Sequence, residues 1–239
     1  MVTWFPRKPK STAAPRVHPR REAPLVTTKV DLHELTPDVT SYLGQAAYVQ
    51  LTMFENIGRA IATAPTTEAK AQLSRVAGRS LDKHRGLADE ITRRGGEPGA
   101  VMEPFTTRID DFQRLTSGQD WFEVLVTCYV TAGFLDDFFG KLAGGLPADP
   151  GTRMAQLLGA PSDEEVLVTL LLEAIEDNPR LASRLAMWGR RLVGDTMLVA
   201  RGALAPSQNH DKDEARIEPV FTELIAAHTR RMDALGLTA

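Results

Sequence analysis

The strongest constraint in this sequence is the unequal spacing of its helical segments. From Thr36-Pro37-Asp38 onward, Leu43, Ala46, Ala47, Leu51, Phe54, Ile57, Gly58 and Ile61 recur three and four residues apart, which predicts a helix over about 38–63 that Pro65 stops. Thr66, Thr67 and Glu68 open a second helix, with the stripe Leu73, Val76, Ala77, Leu81, His84, Leu87 and Ile91, and Gly95-Gly96 closes it. The two form an antiparallel hairpin. Residues 95–119 then carry no sustained period and contain Pro98, Gly99, Pro104 and Ser117-Gly118, so a connection of about 25 residues is expected there, long enough to run the length of a bundle.

Asp120 caps a third helix over about 120–144, whose face comprises Trp121, Leu125, Cys128, Tyr129, Ala132, Leu135, Phe138, Phe139 and Leu142. A short helical piece at 152–159 leads to Pro161-Ser162-Asp163, the start of a fourth helix at about 162–177. Val166, Leu167, Val168, Leu170, Leu171 and Leu172 run almost all the way round it, which predicts a central position. A fifth helix follows at about 179–205, then a polar loop at 206–216 and an amphipathic helix with Ile217, Phe221, Leu224, Ile225, His228, Met232 and Leu235. Aromatic residues make up only 6% of the chain, and long Pro-free stretches are rich in Ala and Leu, so an all-α class is expected. Short, long and short connections among four helices are the wiring of a ferritin-like four-helix bundle with one long crossover, here with additional C-terminal helices.

Charge divides the chain. Residues 1–30 hold seven basic residues (Arg7, Lys8, Lys10, Arg16, Arg20, Arg21, Lys29) against Glu22, or +6, so an overall charge of −3 leaves −9 on the remainder. With five prolines in the same stretch, residues 1–35 are read as a basic flexible arm, 36–205 as the bundle, and 206–239 as a loop and C-terminal helix packed on it. The acidic body argues against a broad nucleic-acid groove, and no basic helix-turn-helix is evident. A single cysteine, Cys128, excludes an internal disulfide and a Cys-rich zinc site; it is expected to pack, in a cytoplasmic protein. The densest apolar run, VLVTLLL, is too short to span a bilayer, and no secretory leader is recognised.

Chemistry is sparse. There is no G-x-S-x-G, phosphate loop, H-E-x-x-H or Cys/His pairing. Ferritin-like di-metal sites take a carboxylate from each of two helices and an E-x-x-H pair from each of the other two. Glu55 lies on or beside the first apolar stripe, either as a ligand or as an edge residue meeting solvent, Arg75 or Arg79. The second helix supplies His84, but Leu81 stands three residues before it and Asp82 lies on another face. Asp136 and Asp137, in GFLDDFFGK, require a metal or an ion pair, for which Arg190 and Arg191 are the candidates. Glu173 and Glu176 have ligand spacing but sit at a helix end where charges meet water. His18, His33, His210 and His228 fall in the arm, in loops or on the last helix, where solvated roles are expected.

Several stretches together resemble the actinobacterial ferritin-like proteins related to the tRNA 2-methylthio-isopentenyladenosine hydroxylases: AYVQLTMFENIGRAIATAPT, the second helix ending in KH, DWFEVLVTCYVTAGFLDDFFGKLA, NPRLASRLAMWGRRLVGDTM and AAHTRRMDALGL. The resemblance covers most of residues 40–237 and implies a ferritin-like bundle of di-iron hydroxylase ancestry, activating dioxygen against a modified tRNA adenosine. It matches the family's Phe-Glu with Glu55, the first E-x-x-H with His84 alone, and the aspartate before an aromatic pair with Asp137. It places Ala160 and Asp163 at the second E-x-x-H. The metal candidates it leaves are therefore Glu55, His84, Asp137 and Asp163. With two expected carboxylates gone, the charge that would neutralise two divalent cations is missing, so the expectation is no metal or a single iron rather than a complete di-iron centre. The expected function is a metal-poor binding scaffold, with an iron- and oxygen-dependent hydroxylase as the alternative. The partner classes are a tRNA, a protein or a second copy of the chain, with no membrane.

Overall fold

A computed structural model describes residues 33–205 and 210–238. Most of the basic arm lies outside the described residues, as does the segment 206–209 of the expected polar loop. Among the described residues the elements are helical. They are α1 (Val39–Thr63), α2 (Thr67–Arg93), α3 (Pro98–Met102), α4 (Thr106–Leu115), α5 (Trp121–Leu142), α6 (Ala148–Leu158), α7 (Glu164–Asp177), α8 (Arg180–Gly202) and α9 (His210–Ala234). Short 3-10 turns precede α1, α4 and α6.

The capping residues act locally as their types require. Asp38 accepts from the Ser41 amide at the start of α1, Thr66 from Ala69 at the start of α2, and Asp120 from Glu123 at the start of α5. Helices α1 and α2 form the hairpin. Helix α5 packs on α1, and α7 packs on both α2 and α5, closing a four-helix ring. The long connection between α2 and α5 is not the aperiodic link expected from its prolines: α3 and α4 occupy it, with Pro98 at the first turn of α3, where a missing N–H costs nothing. Ile109 and Phe112 of α4 enter the core.

The fourth position of the ring is divided. Helix α6 covers one end of α2 and α5, α7 covers the other, and the break runs through Gly159 to Asp163, where Asp163 adopts a left-handed conformation at φ 54°. Helix α7 is consequently not central. Only Val166, Leu167 and Leu171 are buried, and Leu172 is 42% exposed. The middle of the protein belongs to α5, which meets α1, α6, α7, α8 and α9. Apolar side chains on all sides of a 14-residue helix therefore cover neighbours at its flanks without placing it in the centre.

Two apolar clusters make the core. One holds Leu43, Met53, Leu87, Phe134 and Phe138; the other holds Ile57, Leu73, Val76, Leu125 and Leu185. On α2 the change between them falls between Ala77 and Leu87, and Lys83 lies in that interval. Leu35, at the edge of the arm expected from the sequence, is buried, and its carbonyl accepts from the Ala205 amide at 2.9 Å, so packed chain begins ahead of α1.

Candidate functional site at the bundle centre

Side chains from three helices meet where the two clusters join. The Lys83 ammonium of α2 lies 2.6 Å from Asp136 Oδ2 of α5, and the Gln50 amide of α1 donates to Asp136 Oδ1 at 2.6 Å. The Lys83 and Asp136 side chains are only 5% and 16% exposed. Burial pushes the Asp136 carboxyl above the ordinary carboxylate range, and Lys83 and Gln50 pull against that shift. Nearby, the buried Tyr42 hydroxyl donates to the Phe139 carbonyl at 2.9 Å, and burial together with the Asp136 charge raises its pKa. The cavity beside this triad measures about 30 Å³ and is bordered by Ser80, Tyr129 and Glu164 as well. That volume matches a water molecule and not a nucleoside.

The four residues named from sequence do not gather at this centre. Glu55 is exposed, on the side of α1 that carries Tyr48, whose hydroxyl donates to Asp110 at 2.7 Å. His84 is half-buried, and its Nδ1 donates to the Ala47 carbonyl at 2.9 Å. Asp137 accepts from Arg231 of α9 at 2.8 Å, and Asp163 accepts from Arg79 of α2 at 3.0 Å. Ala160 is exposed in the break between α6 and α7. Among the described residues, no three His, Cys, Asp or Glu side chains are grouped as metal ligands.

Asp136 and Asp137 are ion-paired, but not with the arginines proposed from sequence. Arg190 donates to the Thr238 carbonyl and Arg191 to that of Leu115. The partners are instead Lys83 and Arg231, because α9 lies along α5 and Gly133 leaves room for Arg231 to cross it. A Cβ at Gly133 would overlap the Arg231 guanidinium. Arg79, considered as a partner for Glu55, is taken by Asp163.

His228 also departs from its expected solvated role. It is 3% exposed, and burial, reinforced by Arg231, lowers its pKa and favours the neutral ring. Cys128 is buried and packed as expected, and burial pushes its thiol up to about 12. Thiolate chemistry is thereby suppressed, so Cys128 should resist alkylation by iodoacetamide in the native protein and react only on unfolding, as mass spectrometry of timed samples would record.

Lys83 and Gln50 are not metal-ligand types, so a search for ligand chemistry in the sequence passes over them. Their positions were nonetheless marked. Leu73, Val76, Ser80, Lys83, Leu87 and Glu90 follow a four-and-three spacing, and Gln50 continues the series Leu43, Ala46, Ala47. A lysine and a glutamate on such a stripe point inward with their neighbours. Glu90 is 1% exposed and accepts from Arg93, Arg94 and Arg153.

The donor set does not fit a pair of divalent cations. A di-iron centre needs several carboxylates converging from four helices to neutralise its charge. Here Asp136, at the junction of the two clusters, is already matched by an internal cation, while Asp137 and Asp163 are each held by an arginine. A comparison with curated proteins gives no match. The family profile described as a ferritin-like domain of actinomycetes matches residues 34–211, from the turn ahead of α1 to the start of α9. The bundle wiring and this match over most of the chain agree: the protein belongs to the ferritin-like domain family of actinomycetes.

Proposed function

We propose that this protein is a metal-free member of the tRNA hydroxylase-related ferritin-like proteins, acting as a binding scaffold through its outer helices. The observation that carries this reading is the Lys83–Asp136–Gln50 triad. An ammonium 2.6 Å from the Asp136 carboxylate supplies internally the positive charge that bound cations supply in di-metal ferritin-like sites. The small cavity beside it supports the same reading, since it has no room for a substrate to approach the bundle centre.

One observation favours the alternative, an iron- and oxygen-dependent hydroxylase acting on a modified tRNA adenosine. His84 donates through Nδ1 to a backbone carbonyl, the arrangement that orients the other ring nitrogen toward a metal. A single iron on Glu55, His84, Asp137 and Asp163 would require both arginine pairs to open and the exposed Glu55 to turn inward.

Aerobic iron loading of protein purified without a histidine tag, followed by elemental analysis and His84→Ala as a control, separates the readings. The scaffold reading expects iron at background in both proteins. One or two irons per chain that vanish in His84→Ala would overturn it.

A further inference from the structure

Helix α8 presents a second stripe, on the face opposite its buried one. Met187, Arg191, Gly194 and Leu198 follow at intervals of four, three and four residues, and all are exposed. Met187 and Leu198 are 64% and 69% exposed, the two most open of the large apolar side chains among the described residues. Leu115, at the end of α4 and 58% exposed, borders the stripe, because Arg191 donates to its carbonyl at 3.5 Å. The Arg191 guanidinium also lies 5.3 Å from the Trp188 ring centre. Met, Trp and Arg beside exposed leucines are the residue types that concentrate at protein interfaces.

We infer that this face of α8 is the contact surface for a second copy of the chain, joined antiparallel about a two-fold axis. The spacing reads the same in both directions. When one helix is reversed on the other, Met187 meets the partner copy's Leu198 and Arg191 meets its Gly194, and the reverse pairs follow by symmetry. That self-complementarity is what a two-fold interface demands. Nothing lies within 4 Å of a Cβ built on Gly194, so this position is an open notch for the incoming arginine.

Charge completes the match. Asp195, beside the notch, sits 3.9 Å from the Arg191 of its own chain, at the outer limit of an ion pair. In the paired arrangement each Arg191 also reaches the other copy's Asp195, so two cations and two anions neutralise one another at the centre. Apolar contacts flank them at both ends, about 16 Å apart along the helix. A charged centre within an apolar frame fixes register and excludes a parallel pairing, in which the arginines would face each other. The inference is independent of the metal content of the bundle.

Light scattering coupled to size exclusion, run on the full chain over a range of micromolar concentrations, tests this. The native protein is expected at twice its 26.2 kDa chain mass at the upper end. Leu198→Glu and Met187→Glu should each run as monomers with unchanged helical circular dichroism. Arg191→Glu and Asp195→Arg should each weaken association by about tenfold or more, and the double variant, with the charges exchanged, should regain it. A native protein monomeric throughout, an assembly unaffected by Leu198→Glu, or a double variant no better than the singles would each overturn the assignment.

Discussion

Replacing Lys83 by Met is expected to lower the unfolding free energy by about 3–5 kcal/mol, the range for stranding one partner of a buried ion pair. The Lys83 side chain is almost fully covered, and Gln50 is the other hydrogen-bond donor to Asp136, so loss of the cation strands a largely buried carboxylate on a single neutral amide. For a chain of this size that loss corresponds to a fall in Tm of roughly 6–20 °C. Removing both charges, with Lys83→Met and Asp136→Leu together, should recover most of it, because the desolvation cost of Asp136 disappears with its charge. The sign of the pH dependence is a separate check. A carboxyl whose folded pKa is raised stabilises the fold below its unfolded value near 3.8 and loses that contribution as pH rises through the folded value. Loss of Lys83 raises the folded value further. The Lys83→Met deficit should therefore be largest at neutral pH and shrink on acidification, as chemical denaturation at a series of pH values would measure. A deficit independent of pH, or a double variant no more stable than Lys83→Met, would remove the ion pair as the organiser of the bundle centre.

Glu90→Gln carries the second-largest expected effect, with the opposite pH dependence. Burial alone would raise this carboxyl, but hydrogen bonds and charge from Arg153, Arg93 and Arg94 overcome it and hold the pKa down at about 2, against an ordinary 4.5. At full strength such a shift is worth about 3 kcal/mol. The three guanidiniums are 37–59% exposed, and solvent screening reduces the expected loss to about 1–2 kcal/mol at neutral pH. A depressed carboxyl stabilises the fold above its unfolded pKa, and the contribution disappears as pH falls from 4.5 through about 2. The native protein and Glu90→Gln should accordingly differ in Tm at pH 7 and converge near pH 2. Arg153 of α6 is one of the three, so the variant should also loosen α6 from α2, giving faster amide exchange in α6 than in α7.

These two sites show why metal-ligand types were an incomplete guide to the bundle centre. On a helix, one residue of offset is about 100° of rotation, enough to exchange an inward position for a lateral one. His84 and Asp137 carry the chemistry that family resemblance selects, yet Lys83 and Asp136, each one residue earlier, make the central contact. Asp163 illustrates a different limit. Its place in an E-x-x-H alignment assumes a continuous fourth helix, whereas Gly159 to Asp163 interrupt that position and direct the carboxylate to Arg79.

The sequence alone determined the all-α class, the hairpin of the first two helices, the long crossover and the main helices that follow, since apolar periodicity and capping residues act over a few neighbouring residues. It also placed Cys128 in the core. The tertiary structure decided what depends on packing between distant segments: that α5 and not α7 occupies the middle, that α6 and α7 share one position of the ring, and that α9 brings Arg231 to Asp137. It also decided the partner of each buried charge. A charge buried among apolar side chains demands a counter-charge wherever the chain can supply one, and only the packing of α1, α2 and α5 selects Lys83 and Gln50 for Asp136.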